Sequence, residues 1–167
     1  MSLKRSVLLI TTFALSVGAG IPAWSYDANL AASYAKLFEP AARENAGKGL
    51  HCMKPEAFMN KVKGGEPMLT LDVRTEAETQ ILGSALPDSL RIPLNELFQP
   101  ANLQRIPTDR MVVVLCKSGI RAAAAATALR HLGFDRVFIL QGGYKALNDY
   151  LDPLTAHSPP VAHQPKP

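Results

Sequence analysis

The chain has 167 residues, 47% of them hydrophobic and 19% charged, a length that suits one domain of ordinary size and is short for two. Its formal charge of +4 falls to +2 once Lys4 and Arg5 are removed with a leader. No basic stripe interleaves with aromatics, so nothing argues for a nucleic-acid partner.

In chain order, residues 1–25 read as a signal peptide. Lys4 and Arg5 form the charged start, Val7 to Gly20 is apolar apart from small residues and hydroxyls, and Ala23-Trp24-Ser25 has the small-x-small order of a cleavage site. The rival is an uncleaved anchor, but the run is shorter than the roughly 20 residues of a membrane span and Pro22 follows it. No twin Arg precedes the run and no Cys follows it. The expectation is Sec-type export, cleavage after Ser25, a periplasmic or secreted product, and no stable membrane insertion after processing.

Residues 26–48 form an expected helical extension. Leu30, Tyr34, Leu37, Phe38 and Ala41 share one helical face, with Pro40 kinking or restarting the helix. Mixed charges argue for packing on the domain over a basic membrane face. Residues 49–151 then alternate. Strands are expected at 50–53, 68–73, 90–92, 111–115 and 136–140. Helices are expected at 55–62, 76–82, 121–132 and 144–151, with one helical turn at 95–98. Gly64-Gly65 and Gly133 mark helix ends. Strands that are nearly all apolar, such as Met-Val-Val-Val-Leu at 111–115, imply a parallel α/β sheet buried on both faces. Residues 152–167 hold five of the 13 prolines and few apolar side chains, which predicts a disordered tail. His157 and His163 lie in it, and two such histidines without fixed partners make a poor metal site. No metal and no cofactor is expected.

In such sheets ligands bind beyond the carboxyl ends of the strands, which directs attention to the residues after Val73 and Leu115. Cys116 follows a buried strand, and Cys116 to Arg121 (Cys-Lys-Ser-Gly-Ile-Arg) turn into a helix. Gly119 lets the loop curl. A curled loop before a helix start gathers backbone N–H groups and a positive dipole end into an anion nest. Lys117 and Arg121 add full charges. Such a field favours the thiolate, the nucleophilic form, and an anionic substrate beside it. A Cys at a strand end is, by contrast, most often a small buried hydrophobe, and Cys52 reads as such an inert thiol. Two cysteines in an exported chain also leave a disulfide or redox role open. Asp72 at a strand end is expected to accept backbone N–H bonds or steer the cysteine loop. Arg74 is expected to pair with Glu76 or Glu78, or to face the pocket. The alanines at 122–126 read as close helix–sheet packing.

Five segments carry a resemblance: Leu71-Asp72-Val73-Arg74-Thr75, Arg91-Ile92-Pro93-Leu94, Cys116-Lys117-Ser118-Gly119-Ile120-Arg121, Leu132-Gly133-Phe134 and Leu140-Gln141-Gly142-Gly143-Tyr144. In this order they resemble the motifs of single-domain rhodaneses, over about residues 49–151. The resemblance implies a five-stranded parallel sheet flanked by helices. It also implies a sulfurtransferase that moves sulfane sulfur from a small anionic donor, such as thiosulfate, to a thiol or cyanide. The carrier would be a persulfide on Cys116, with Lys117, Ser118, Gly119, Ile120 and Arg121 binding substrate and Asp72 and Arg74 in support. Lys117 stands where Arg is commoner, and Gly83 to Ser89 replaces the family's Gly-His-Ile-Pro-Gly-Ala. Two other classes remain: a non-catalytic, redox or sulfur-carrier module of the same fold, and a phosphatase, whose related loop is one residue longer (Cys-x5-Arg).

Overall fold

A computed structural model describes residues 26–152 apart from 84, 85 and 87. The expected leader and Pro-rich tail lie outside the described residues, as does part of the segment from 83 to 89. Among the described residues no helix is long and apolar enough to cross a membrane.

Five parallel strands form one sheet in the order β1-β5-β4-β2-β3. They are β1 (Cys52–Met53), β2 (Met68–Asp72), β3 (Ser89–Arg91), β4 (Met111–Leu115) and β5 (Val137–Leu140). The helices in chain order are α1 (Ala28–Phe38), α2 (Ala46–Gly49), α3 (Pro55–Lys63), α4 (Glu76–Ile81), α5 (Pro100–Leu103), α6 (Ile120–His131) and α7 (Gly143–Leu151). Every residue of β2 is buried, as are the last four of β4. That is the pattern of central strands covered on both faces, and it explains the unbroken apolar sequence of β4, while β2 also buries Thr70 and Asp72. On one face Leu69, Leu71, Val112 and Val114 pack with Ala125, Ala126 and Leu129 of α6. On the other, Val113, Leu115 and Leu140 pack with Phe58 of α3 and Leu147 of α7.

The register brings the strand ends that matter together. Asp72 pairs with both Leu115 and Arg91. The ladders run one residue further, with Val73 N–H donating to the Leu115 carbonyl at 3.0 Å and Ile92 N–H to that of Asp72 at 3.1 Å. Arg74 and Cys116 therefore leave the sheet side by side.

Of the kink or restart expected at Pro40, the structure shows a break and a restart. Asp27 caps α1, its carboxylate accepting from Leu30 N–H at 3.0 Å, and α1 stops at Phe38, two residues before Pro40, as a proline's missing N–H and ring clash require. A 3-10 turn at Arg43–Asn45 and the short α2 follow. No residue of α1 is buried. It lies on α6 through Tyr34 stacked on His131, with centroids 4.0 Å apart, and a Ser33–His131 hydrogen bond of 2.6 Å. The helical turn expected at 95–98 is a run of hydrogen-bonded turns, and α5 follows it with Pro100 in its first turn, where no N–H is needed.

Candidate active site

Cys116 follows β4 directly and is 1% exposed. The loop enters α6 through Gly119, which caps the helix at φ 90°, a left-handed conformation that side chains resist. This turn aims the Gly119 N–H at the Cys116 sulfur, at 3.2 Å. On its other side the loop is tied to α7. Tyr144 N–H donates to the Cys116 carbonyl at 2.8 Å, and Lys145 N–H to that of Lys117 at 3.0 Å. Two of the N–H groups that a helix start leaves unpaired are thus satisfied by the loop. The contact is main chain on main chain: a Cβ on Gly143, at φ 59°, would collide with the Cys116 carbonyl oxygen and stand 2.8 Å from Gly119 N. Ala122, Ala125 and Ala126 are fully buried, so the expected close packing of α6 on the sheet is present.

Arg121 closes the loop and is held from across the site. Its Nη1 and Nη2 each donate to Glu78 at 2.7 Å, a two-pronged, charge-assisted pair. Glu78 is fixed in turn by the capping box of α4, accepting from Thr75 N–H at 3.0 Å while Thr75 Oγ1 accepts from Glu78 N–H. Hydrogen bonds from Arg121, then from Thr75, hold the Glu78 carboxyl well below its usual range, at about 2. Glu78, and after it Cys116, favours the charged form of Arg121, whose pKa is raised. The guanidinium is thus fixed in charge and place near the sulfur.

Arg74 and Asp72 form a second, deeper unit. Asp72 is fully buried and Arg74 is 4% exposed. The expected pairing of Arg74 with Glu76 or Glu78 is corrected: its Nε and Nη2 donate to Asp72 at 2.8–3.0 Å, its Nη2 to the Leu82 carbonyl at 2.8 Å, and its backbone N–H to Asp72 at 3.0 Å. Burial opposes its charge, but the Asp72 hydrogen bonds and charge outweigh burial and raise its pKa. The guanidinium also lies 3.8 Å from the centroid of the Tyr144 ring, a cation–π contact. Asp72 accepts the backbone N–H expected of it, and its bonds go to Arg74 rather than to the cysteine loop.

Lys117, Ser118 and Ile120 are exposed, Ile120 at 77%. A cavity of about 370 Å³ opens beside the loop, lined by Arg74, Glu78, Ile81, Leu82, Lys117 and Tyr144 among others. The structure thus gathers Asp72, Arg74 and the loop from Cys116 to Arg121 at one end of the sheet. It adds roles the sequence did not assign: Glu78 as the partner of Arg121, and Gly143 and Tyr144, quoted only as part of a motif, as supports of the loop and of Arg74. The Thr75-x-x-Glu78 capping pattern is a readable signal, but it gives no hint of Arg121.

Cys52 is corrected: it is exposed, not buried, and both cysteines are free thiols. β5 lies between β1 and β4. Two interstrand steps of about 4.8 Å separate Cys52 from the strand that bears Cys116, beyond the roughly 7 Å Cα limit for a disulfide. A direct bridge would require the sheet to rearrange.

Chemically, this is a shielded thiol with an N–H on its sulfur and a fixed guanidinium at the end of a six-residue loop. It suits a thiolate and an anionic leaving group.

A family model described as Rhodanese-like domain matches residues 54–149. A sulfurtransferase of Allochromatium vinosum is 36% identical over 88 residues, spanning 53% of this chain and 78% of that protein. A probable adenylyltransferase/sulfurtransferase, MoeZ, of Mycobacterium tuberculosis is 30% identical over 108 residues, covering 65% of this chain and 27% of that much longer protein. Among solved structures, a rhodanese-like domain protein from Staphylococcus aureus superposes with a TM-score of 0.51 at 25% identity, covering 57% of this chain and 89% of that one.

Proposed function

The chain belongs to the rhodanese-like domain family of sulfurtransferases, and on that premise we propose that it transfers sulfane sulfur through a persulfide on Cys116. The Cys116 thiolate attacks the outer sulfur of an anionic donor such as thiosulfate. The donor's S–S bond breaks, and sulfite leaves with the electron pair. A thiolate or cyanide then attacks the outer sulfur of the persulfide, the second S–S bond breaks, and the electron pair returns to Cys116.

The observation that carries this reading is the Gly119 N–H on the Cys116 sulfur at 3.2 Å, in a loop that ends on the clamped Arg121. A donor N–H and a fixed cation stabilise negative charge as it builds on sulfur. Lys117 adds charge without the planar fork of an arginine. The loop is one residue shorter than Cys-x5-Arg, so fewer N–H groups are available to surround three phosphoryl oxygens, which favours sulfur over phosphoryl transfer.

The test is thiocyanate formation from thiosulfate and cyanide. Wild type should turn over, Cys116→Ser should not, and aryl phosphates should be untouched. Aryl phosphatase activity that disappears in Cys116→Ser, with no thiocyanate formed, would reverse the assignment.

Export rests on sequence alone: the charged, apolar, small-residue order of residues 1–25. N-terminal sequencing of a periplasmic fraction should begin at Tyr26, and Met1 retained in a membrane fraction would overturn that assignment.

A further inference from the structure

We propose that the cavity between α4, the cysteine loop and α7 is the acceptor subsite, and that it selects a small thiol bearing a carboxylate. This rests on the sulfur-transfer reading above and names the acceptor class that reading leaves open.

The cavity has the size of a small-molecule site, about 370 Å³. Its lining holds three cations, Arg74 paired with the buried Asp72, Lys145 paired with Asp149 at 2.8 Å, and Lys117, which forms no ion pair among the described residues, with Asn148 as a neutral partner. Glu78 is the one carboxylate among the described lining residues, and both its oxygens are engaged by Arg121. A thiol carrying a positive charge would meet Lys117 and the outer edge of the Arg74 guanidinium here, whereas a carboxylate would pair with both.

Arg74 gives this field a fixed point. Asp72, the Leu82 carbonyl and the Tyr144 ring hold its Nε, Nη2 and face. Its Nη1 donates to none of the described residues. A guanidinium already immobilised loses little further freedom when a carboxylate pairs with it.

The walls add an apolar body to the specification. Ile81 is 89% exposed and Leu82 49%, and both line the cavity beside the Tyr144 ring. A bare inorganic anion has no use for that surface, but the methylene chain of an organic thiol would cover it. The cavity also borders the loop that carries the reacting sulfur. Lys117 follows Cys116 in the chain, and Glu78 holds the arginine of the same loop. Cys116 itself is almost fully buried. In the persulfide the outer sulfur stands about 2 Å beyond Sγ. The acceptor thiolate attacks that sulfur, the S–S bond cleaves, the electron pair goes to Cys116 Sγ, and the acceptor leaves as its own persulfide.

The experiment loads the full chain with thiosulfate, removes the excess and measures the loaded sulfur. It then follows discharge to 3-mercaptopropionate, 2-mercaptoethanol and cysteamine at low ionic strength, with rates corrected for thiolate concentration. The expected order is anionic, neutral, cationic, with a ratio of about 10 or more between the first two that shrinks as salt is added. Lys145→Glu and Ile81→Asp each place a negative charge on the rim and should cut that ratio at least about 5-fold. Because it compares two acceptors on the same loaded protein, the ratio is insensitive to differences in folding or loading. Loading followed by discharge that is indifferent to acceptor charge, or a ratio that both variants leave unchanged, would overturn the subsite alone. Failure of the wild type to load sulfur would overturn the underlying reading and the subsite with it.

Discussion

Gly143→Ala should damage the site more than any other glycine-to-alanine change that costs the same backbone strain. The residue sits at φ 59°, where a side chain costs about 1–2 kcal/mol. Its new Cβ would meet the Cys116 carbonyl oxygen, Gly119 N and the Lys117 carbonyl carbon. All three are backbone atoms of the cysteine loop and have no rotamer to escape into, so overpacking adds about 1–3 kcal/mol. The combined loss of about 2–5 kcal/mol corresponds to a fall in Tm of roughly 8–20 °C for a domain of this size. The control is Gly133→Ala. That glycine also has a positive φ, 96°, but its Cβ would enter open space, so only the strain of about 1–2 kcal/mol applies. Calorimetry of both variants and thiocyanate turnover of the folded fractions make the comparison. Gly143→Ala should lose turnover as well as stability, because the α7 contact positions the Cys116 and Lys117 carbonyls. Equal losses in Tm and full turnover in both variants would refute the claim that α7 buttresses the loop.

Cys116→Ser should abolish sulfur transfer while Cys52→Ser retains most of it, since Cys52 is exposed and β5 separates its strand from β4; equal losses in a coupled assay would point to a paired-thiol mechanism. Asp72→Ala leaves the Arg74 charge buried without its carboxylate, a loss of about 3–5 kcal/mol to be read from the urea midpoint. Glu78→Gln should be less stable than wild type at neutral pH. The folded-state pKa of Glu78 lies below its ordinary 4.5, at about 2, so its contribution is present above about pH 4.5 and is lost as pH falls toward 2. The stability gap between the two proteins should therefore narrow over that range, and a gap that widened on acidification would contradict the pairing with Arg121. Arg121→Ala, which removes a charge-assisted contact of about 1.5–3 kcal/mol, should slow sulfur uptake roughly 10-fold to 150-fold in stopped-flow measurements.

The parts of this molecule that sequence reveals are those governed by local rules. Met111–Leu115 is legible as a buried strand because a parallel strand covered on both faces has no polar side to disguise it. The cysteine loop is legible because Cys116, Gly119 and Arg121 lie within one turn of each other along the chain. What sequence hides is set by register. Glu78 and Arg121 are 43 residues apart and meet only because β2 and β4 pair with Asp72 opposite Leu115. Arg74 has acidic neighbours ahead of it at 76 and 78, yet the bend at Arg74, whose own N–H donates to Asp72, brings its guanidinium back onto that carboxylate. The exposure of Cys52 was unreadable because β1 has only two residues, too few for an alternating pattern to assign a face. The role of Gly142-Gly143 was visible only as a motif. That it marks a backbone-to-backbone contact with a loop more than 20 positions earlier is a fact of packing.

The central claim is that Cys116 carries the sulfur. Intact-mass and peptide mass spectrometry of the protein after treatment with thiosulfate, without reductant, tests it most directly. The expected result is a gain of one sulfur atom located on the peptide that contains Cys116, absent in Cys116→Ser and removed by cyanide. Sulfur found on Cys52, or no added sulfur on a folded protein, would contradict it.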